Sequence, residues 1–589
     1  MRGAWIMTNT QKRRYIADFE TITWLENETG VWAWGAMDIE NESDYEIGTD
    51  ISEFIEWCKR HAGGIVYFHN AKFDAEFIIW YLLKNGYTHE TTGRKTKSFK
   101  TIISDMGQFY KMTIRFNQKE TITIIDSLKI IPFAVKDIPS KFGLDIGKLE
   151  IDYLAERTDG ELREGDREYL LNDLRVPARA IKMLIDEDLT QMTQASNAYK
   201  NYTDMIGKRT FRHFFPILKG AVESNIRKSY KGGFTYLNPI YENKEIKGGI
   251  VIDVNSLYPY VMRTAYLPIG EPKLFKGRYN EDKIYDLYIQ QLTCEFELLP
   301  GKIPMIQVKN NSAFKPTEYL TDSGGQTIVL TLTNIDLELF FKNYKVKNPV
   351  FIGGWKFRGL KGLFNRYIDY WIGKKIEYDK LGIKGRKQAA KLMLNSLYGR
   401  FGLNPENKTK IPYLENDIVK YRDLKGKGRE PIYVPMAAFI TAYARKKTIE
   451  TSQKIRDYSL QKYGVDKYIY SDTDSVHTLL TADELKQIVD IDDYKLGAWK
   501  IENKFSRARF VQAKRYIEET EKGLNIKCAG LPDRCYEQVT FDNFKRGIGT
   551  VYVNKLRYKH VKGGVKLVPT TFQMDLCYNE NKRGDKNRD

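Results

Sequence analysis

The sequence predicts a multidomain protein of mixed α/β and α+β architecture, and three observations carry that expectation. A chain of 589 residues is too long for a single hydrophobic core. Short β-type apolar runs bounded by turn residues are interleaved with longer runs of helical period. Two distant stretches, Asp18-Phe19-Glu20 and Asp472-Thr473-Asp474, each place two carboxylates one residue apart in β-rich surroundings. Hydrophobic residues at 42% and aromatics at 13% suffice to bury several cores, so the chain is globular rather than disordered.

The second of those stretches is the centre of the sequence. Lys467-Tyr468-Ile469-Tyr470 predicts a strand and Ser475 to Leu480 its antiparallel return, leaving Asp472 and Asp474 at a tight turn. Residues i and i+2 of an extended segment share a face, so both carboxylates are expected to point at one spot. Such a spot repels itself without a cation, and hard oxygen ligands select Mg2+ or Mn2+. A solvated Asp-rich turn is the bland alternative.

In chain order, Arg14 to Thr21 alternates as a strand, with Asp18 and Glu20 on the face of Ile16. Gly64 to Asn70 predicts a second strand ending at His69 and Asn70. Phe73 and Asp74 then lead into a helix over Phe77 to Lys84, with Asp74 near its start. Asp166 to Asp173 has helical period, which sets Tyr169 and Asp173 on one face. Tyr230-Lys231-Gly232-Gly233 offers two glycines for close backbone approach to a ligand. Gly249 to Val254 predicts a buried strand delivering Asp253 at its end, before a helix with Pro259 in its first turn. Arg386 to Phe401 predicts a helix with Lys387, Lys391, Asn395 and Tyr398 along one stripe, and cations there suit a triphosphate. Lys514-Arg515-Tyr516 is expected on a strand.

Lys plus Arg outnumber Asp plus Glu by 94 to 76, giving a net charge of +18 and a pI near 9.2. With the positive residues spread through folded segments and 39 Tyr and 29 Phe to stack on bases, a nucleic-acid partner is expected. No apolar run is long enough to span a membrane. Five scattered cysteines form no CxxC pair, and Met1 to Met7 lacks the apolar core of a signal peptide, so a cytoplasmic setting is expected.

The order DFE, NxxFD, YxxxD resembles the DEDD-type 3'-5' exonucleases of RNase H-like fold. The order DVNSLYP, KLMLNSLYG, YSDTDS and KRY then matches motifs A, B, C and KxY of the family B DNA polymerases. Size, the YKGG linker and two long intervals look like the protein-primed subfamily of small phages with terminal-protein-capped linear genomes. The resemblance implies that Asp18, Glu20, Asp74 and Asp173 hold two metal ions about 4 Å apart. Tyr169 would orient the attacking water, Lys148 would sit near the scissile phosphate, and Asn70, Phe73 and His69 would hold a single-stranded 3' end. At the second centre it implies Asp253, the adjacent Val254 and Asp474 as ligands of two further ions, with Asp472 in support. Lys387, Lys391 and Asn395 would bind the triphosphate. Tyr258 would stack on the sugar and Tyr398 would check the base pair from the other side. Tyr230, Gly232, Gly233, Lys514 and Tyr516 would contact DNA.

The implied layout is an exonuclease domain over 1–193, then a right hand of palm, fingers and thumb. Palm segments are 194–265 and 436–530, fingers 367–402 and thumb 531–575. Insertions are 266–366, contacting a terminal protein, and 403–435, with a hairpin tip at Lys425 to Arg429. The 576–589 tail, whose last residues are charged, is expected to be disordered. A monomer acting on DNA template, primer and dNTPs is implied, with proofreading and strand displacement. Two alternatives stay open: a nucleic-acid-primed polymerase of the same family, and a DEDD nuclease whose C-terminal part only binds DNA.

Overall fold

The structure is a computed structural model that describes residues 12–91, 95–147, 149, 162–308, 318–406, 408–426, 428–545 and 550–575. The expectations for Met1 to Met7, Lys148 and the 576–589 tail lie outside the described residues.

Strands of the N-terminal body form an eight-stranded sheet in the order Tyr45–Gly48, Val31–Asp38, Arg14–Thr21, Ile65–Phe68, Thr121–Asp126, Phe109–Arg115, Ser98–Ile103, Thr88–His89. Arg14–Thr21 is internal, antiparallel to Val31–Asp38 and parallel to Ile65–Phe68, which explains its burial on both faces. The helix Ile51–Arg60 begins in a capping box, Asp50 with Glu53. Across the sheet lies the helix Glu164–Asp186. A side chain at Gly35 would come within 2.9 Å of Leu174, so this glycine sets how closely that helix approaches.

A second sheet of seven strands runs in the order Gly523–Cys528, Arg515–Thr520, Trp499–Gln512, Glu245–Val254, Ser475–Thr478, Tyr468–Asp472, Thr235–Leu237. The 30-residue helix Val434–Tyr463 packs against it and is buried along most of its length. The paired helices Asn365–Lys380 and Lys384–Phe401 stand beside it. Between Asp253 and those helices, four strands form a further sheet in the order Tyr266–Lys276, Tyr344–Lys361, Leu287–Leu298, Ile328–Thr333. Among the described residues no helix is long and apolar enough to cross a membrane.

Two hairpins return to the N-terminal body. The first, Lys408–Glu415 with Ile418–Lys425, turns at Asn416 and Asp417. Both take positive φ, 53° and 60°, as a two-residue hairpin turn requires. The tip therefore lies here, and Lys425 and Arg429 sit at the foot, a correction to the glycine-based expectation. Trp80 Nε1 donates to the Asp417 carbonyl at 2.9 Å, and Tyr421 Oη donates to Glu76 at 2.7 Å. The second hairpin, Thr550–Val561 with Gly564–Asp575, lands beside it. There the Thr29 amide donates to the Lys562 carbonyl at 2.9 Å, and Val565 is fully buried in the N-terminal core.

Glu76 sits where all three parts meet, with His560 Nδ1 3.6 Å from its other oxygen. Burial pushes its carboxyl up to about 7, against the pull of Tyr421 and Lys72. Tyr421→Phe removes a hydrogen bond to this buried group, an expected cost of about 1–3 kcal/mol. Hydrogen exchange should then quicken across 408–425 while the Arg14–Thr21 strand keeps its protection. Unchanged exchange in the hairpin would show that the contact does not hold it.

Candidate active sites

The first site forms where two strands of the seven-stranded sheet end together. Asp253 pairs with Ser475 across an antiparallel ladder, and the Val254 amide donates to the Asp474 carbonyl at 2.9 Å, so backbone register alone brings Asp253 and Asp474 side by side. Burial and the neighbouring Asp474 and Glu502 push the Asp253 carboxyl up to about 7. Asp474 is raised as well, by burial first and then by Asp472 and Glu502. Lys500, opposite Asp253 on the next strand, puts its amine 3.5 Å away.

Asp472 does not share that spot equally. Thr473 at the turn takes φ 61°, and the Asp472 carboxylate is held by Lys514 Nζ at 2.9 Å to both oxygens and by Thr235 Oγ1 at 3.0 Å. The i, i+2 argument assumed an extended chain, and the left-handed turn between the two aspartates breaks it. Lys514 itself occupies the turn between Trp499–Gln512 and Arg515–Thr520, with φ 62°, rather than a strand. Tyr516 packs beneath it against Phe510, His477 and Tyr470, at centroid distances of 5.0, 5.3 and 5.6 Å.

The turn is pinned from behind. The Thr473 amide donates to the Phe234 carbonyl at 2.7 Å, and Thr448 Oγ1 donates to the Thr473 carbonyl at 2.6 Å. Of the two glycines before Phe234, only Gly233 is sterically required, since a Cβ there would lie 2.5 Å from Thr473 Oγ1. Gly232 faces open space, and its carbonyl with that of Lys231 accepts from Arg445 at 2.8 and 2.9 Å.

Lys500 belongs to a bank of amines. Lys391 and Asn395 are exposed on Lys384–Phe401, while Lys387 bonds Asp379 of the preceding helix. Lys375 is half-buried, and its amine is held below the ordinary lysine range by burial and by the charges of Lys391, Lys387 and Lys500. Such mutual repulsion marks a place for a polyanion. Tyr258 and Tyr398 stack on each other, ring centroids 3.9 Å apart and 21° off parallel. Tyr230 packs its hydroxyl against Gly402 at the end of the same helix.

The second site lies in the N-terminal body. Asp18 and Glu20 from the internal strand and Asp173 from the long helix bring carboxylate oxygens within 4.8 Å of one another. Asp74 starts the helix Asp74–Lys84. Its carboxyl is raised well above the usual range by burial, then by Asp18, Glu20 and Asp126, and one oxygen is buried with no hydrogen bond. Tyr169 is buried one helical turn from Asp173. Asn70 takes φ 67° on the turn before Phe73, and its amide donates to Asp126. Both ring nitrogens of His69 are engaged within the protein, by Ser127 Oγ at 3.0 Å and the Phe133 carbonyl at 2.8 Å, and the residue lines the cavity beside the carboxylates. A cavity of 230 Å3 opens beside the carboxylates, walled in part by Tyr558 of the C-terminal hairpin.

Sequence reasoning missed Lys375, Lys500, Glu502, Asp126 and Arg445. Asp126 ends a buried strand just as Asp253 does, a legible signal. Lys500 and Glu502 share a face of the strand Trp499–Gln512. Lys375 carries no motif.

Adjacent sheet-end carboxylates with clustered lysines nearby suit nucleotidyl transfer. The family model for type B DNA polymerases, organellar and viral, matches residues 58–162 and 155–488, and the chain belongs to that family. The DNA polymerase of Bacillus phage phi29 is 40% identical over 96% of this chain and 100% of its own length. That of Streptococcus phage Cp-1 is 32% identical over 95% and 98%. The solved phi29 DNA polymerase complexed with primer-template DNA and incoming nucleotide substrates matches with TM-score 0.86 and 39% identity, over 95% of this chain and 100% of that one. The chain is therefore a DNA polymerase.

Gly233→Ala should displace the Thr473 turn and lower primer extension about 10- to 100-fold at an unchanged melting temperature. Wild-type extension by this variant would show that the turn tolerates the shift.

Proposed function

We propose a DNA-directed DNA polymerase with a separate 3'-5' proofreading centre, built as an RNase H-like domain joined to palm, fingers and thumb. The observation that carries the reading is the pairing of Asp253 with Asp474 beside Lys500, whose amine belongs to a cluster with those of Lys375, Lys387 and Lys391. Both carboxylate sets fit hard divalent cations: they are oxygen-only and crowded, Asp253, Asp474 and Asp74 are raised by burial and then by neighbouring acids, and Asp74 has a buried oxygen without a donor. Asp253, Val254 and Asp474 would hold one pair of Mg2+ or Mn2+ ions, and Asp18, Glu20, Asp74 and Asp173 the other. Bound there, the ions supply charge neutralisation and activation of the attacking oxygen.

The protein's own groups do the rest. The lysine bank and Asn395 bind and orient the triphosphate. Tyr258 and Tyr398 move as one stack to admit the nucleotide, Tyr258 against the sugar and Tyr398 against the base pair. Lys514, released from Asp472 or shared with it, and the Tyr230-Gly232-Gly233 segment hold the primer strand. In the proofreading centre Asn70 and Phe73 hold the 3' end, and Tyr169 orients water. Asp474→Asn should abolish primer extension while leaving single-strand degradation intact, and Asp18→Ala with Asp74→Ala should do the reverse. Loss of both activities in either variant at an unchanged melting temperature would refute two separate centres.

We infer further that synthesis starts on a terminal protein and displaces the non-template strand. Support comes from the two added segments: the four-stranded sheet of 266–366 and the hairpin whose docking with the C-terminal hairpin closes a ring onto the N-terminal body. The enzyme acts as a monomer in the host cytoplasm. Incubation with Mg2+, labelled dNTP and the terminal protein of its genome, without any nucleic-acid primer, should label the protein, and Asp253→Ala should abolish it. Extension of a DNA primer without such labelling would leave a nucleic-acid-primed polymerase.

A further inference from the structure

We propose that Tyr558, on the C-terminal hairpin, is a further binding residue for the terminal nucleotide of a single strand in the cavity beside Asp18 and Asp74. This rests on the proofreading reading. The cavity wall is shared between two parts of the molecule: Asn70, Phe73 and Asp173 come from the N-terminal body, Tyr558 and Leu567 from the hairpin. The Tyr558 ring lies 6.2 Å from that of Phe73, tilted by 49°. Its hydroxyl hydrogen-bonds the side chain of Asn70, and the Lys72 amine sits 4.9 Å from its ring centre. Two aromatic rings, a carboxamide and an amine around one small space suit a nucleotide, whose base stacks, whose hydroxyl accepts or donates, and whose phosphate takes the charge.

The hairpin is fixed firmly enough for Tyr558 to be part of that wall. A Cβ on Gly563 would lie 1.9 Å from the Thr29 carbonyl, and one on Gly564 2.6 Å from the Phe77 ring, so only glycines allow this landing. Lys562 Nζ meets Glu28 at 3.1 Å alongside it. A ring serving only as packing would be enclosed like Val565, fully buried two strand positions beyond the tip, yet Tyr558 stays 36% exposed at the cavity edge. The cavity wall thus includes side chains that the docked hairpin supplies.

The test is a base-by-tyrosine cycle. A short 5'-labelled oligothymidylate, and the same strand ending in an abasic 3' residue, are titrated against the full chain in Ca2+ in place of Mg2+. Wild type should prefer the intact end by about tenfold. Tyr558→Ala should reduce that preference to about twofold, with primer extension and melting temperature unchanged, and Tyr558→Phe should retain most of it. Equal weakening for both strands would assign Tyr558 to packing alone, and tighter binding of the intact strand would make it an obstruction; either overturns the proposal. Failure of the proofreading reading looks different, since wild type would then show no preference and no degradation in Mg2+.

Discussion

The Arg445 guanidinium holds the polymerase centre in place. It is buried, pairs with Asp336 at 2.7 Å, and donates to the carbonyls of Lys231 and Gly232. That one group ties the long helix Val434–Tyr463, the helix Asn334–Asn343 and the glycine segment together. The glycine segment in turn carries Phe234 and Gly233, which fix the turn bearing Asp472 and Asp474. A buried pair of this kind adds little net stability against an apolar substitute, but losing one partner costs about 3–5 kcal/mol. Its value is positional: four segments distant in sequence acquire one relative geometry.

Both carboxylate clusters use the same device under different electrostatics. A buried strand delivers a carboxylate at its end, and a second element sets another beside it. In the seven-stranded sheet the crowding of Asp253 and Asp474 is offset by Lys500 of the neighbouring strand, whose charge also reaches Lys375 of the helix Asn365–Lys380. Around Asp74 the raised carboxyl reflects burial and three other acids, as suits a site completed by cations before any substrate arrives. Glu76, two residues from Asp74, is where both hairpins rest on the N-terminal body.

Much of this was legible in the sequence because strand and helix periods fix which side chains share a face. The Arg14–Thr21 strand, the Asp253 strand, the Lys384–Phe401 stripe and the helix carrying Tyr169 and Asp173 all follow from that rule. The misses share a physical cause. Positive φ at Thr473 and Lys514 breaks the alternation on which the Asp472 and Lys514 expectations relied, and neither residue is the glycine that advertises such a turn. The hairpin tip was placed by glycines, whereas Asn416 and Asp417 make it. Lys375 and Arg445 depend on partners tens to hundreds of residues away, which no local pattern encodes.

The central claim is a division of the acidic residues: Asp253 and Asp474 form one metal centre, Asp18, Glu20, Asp74 and Asp173 another, and Asp472 stays with Lys514. Anomalous diffraction from crystals grown with Mn2+ and a primer-template tests it most directly. The account predicts manganese peaks at both carboxylate groups, with the Asp472–Lys514 contact intact. Manganese bound by Asp472 with Lys514 displaced, or a peak at only one of the two groups, would contradict it.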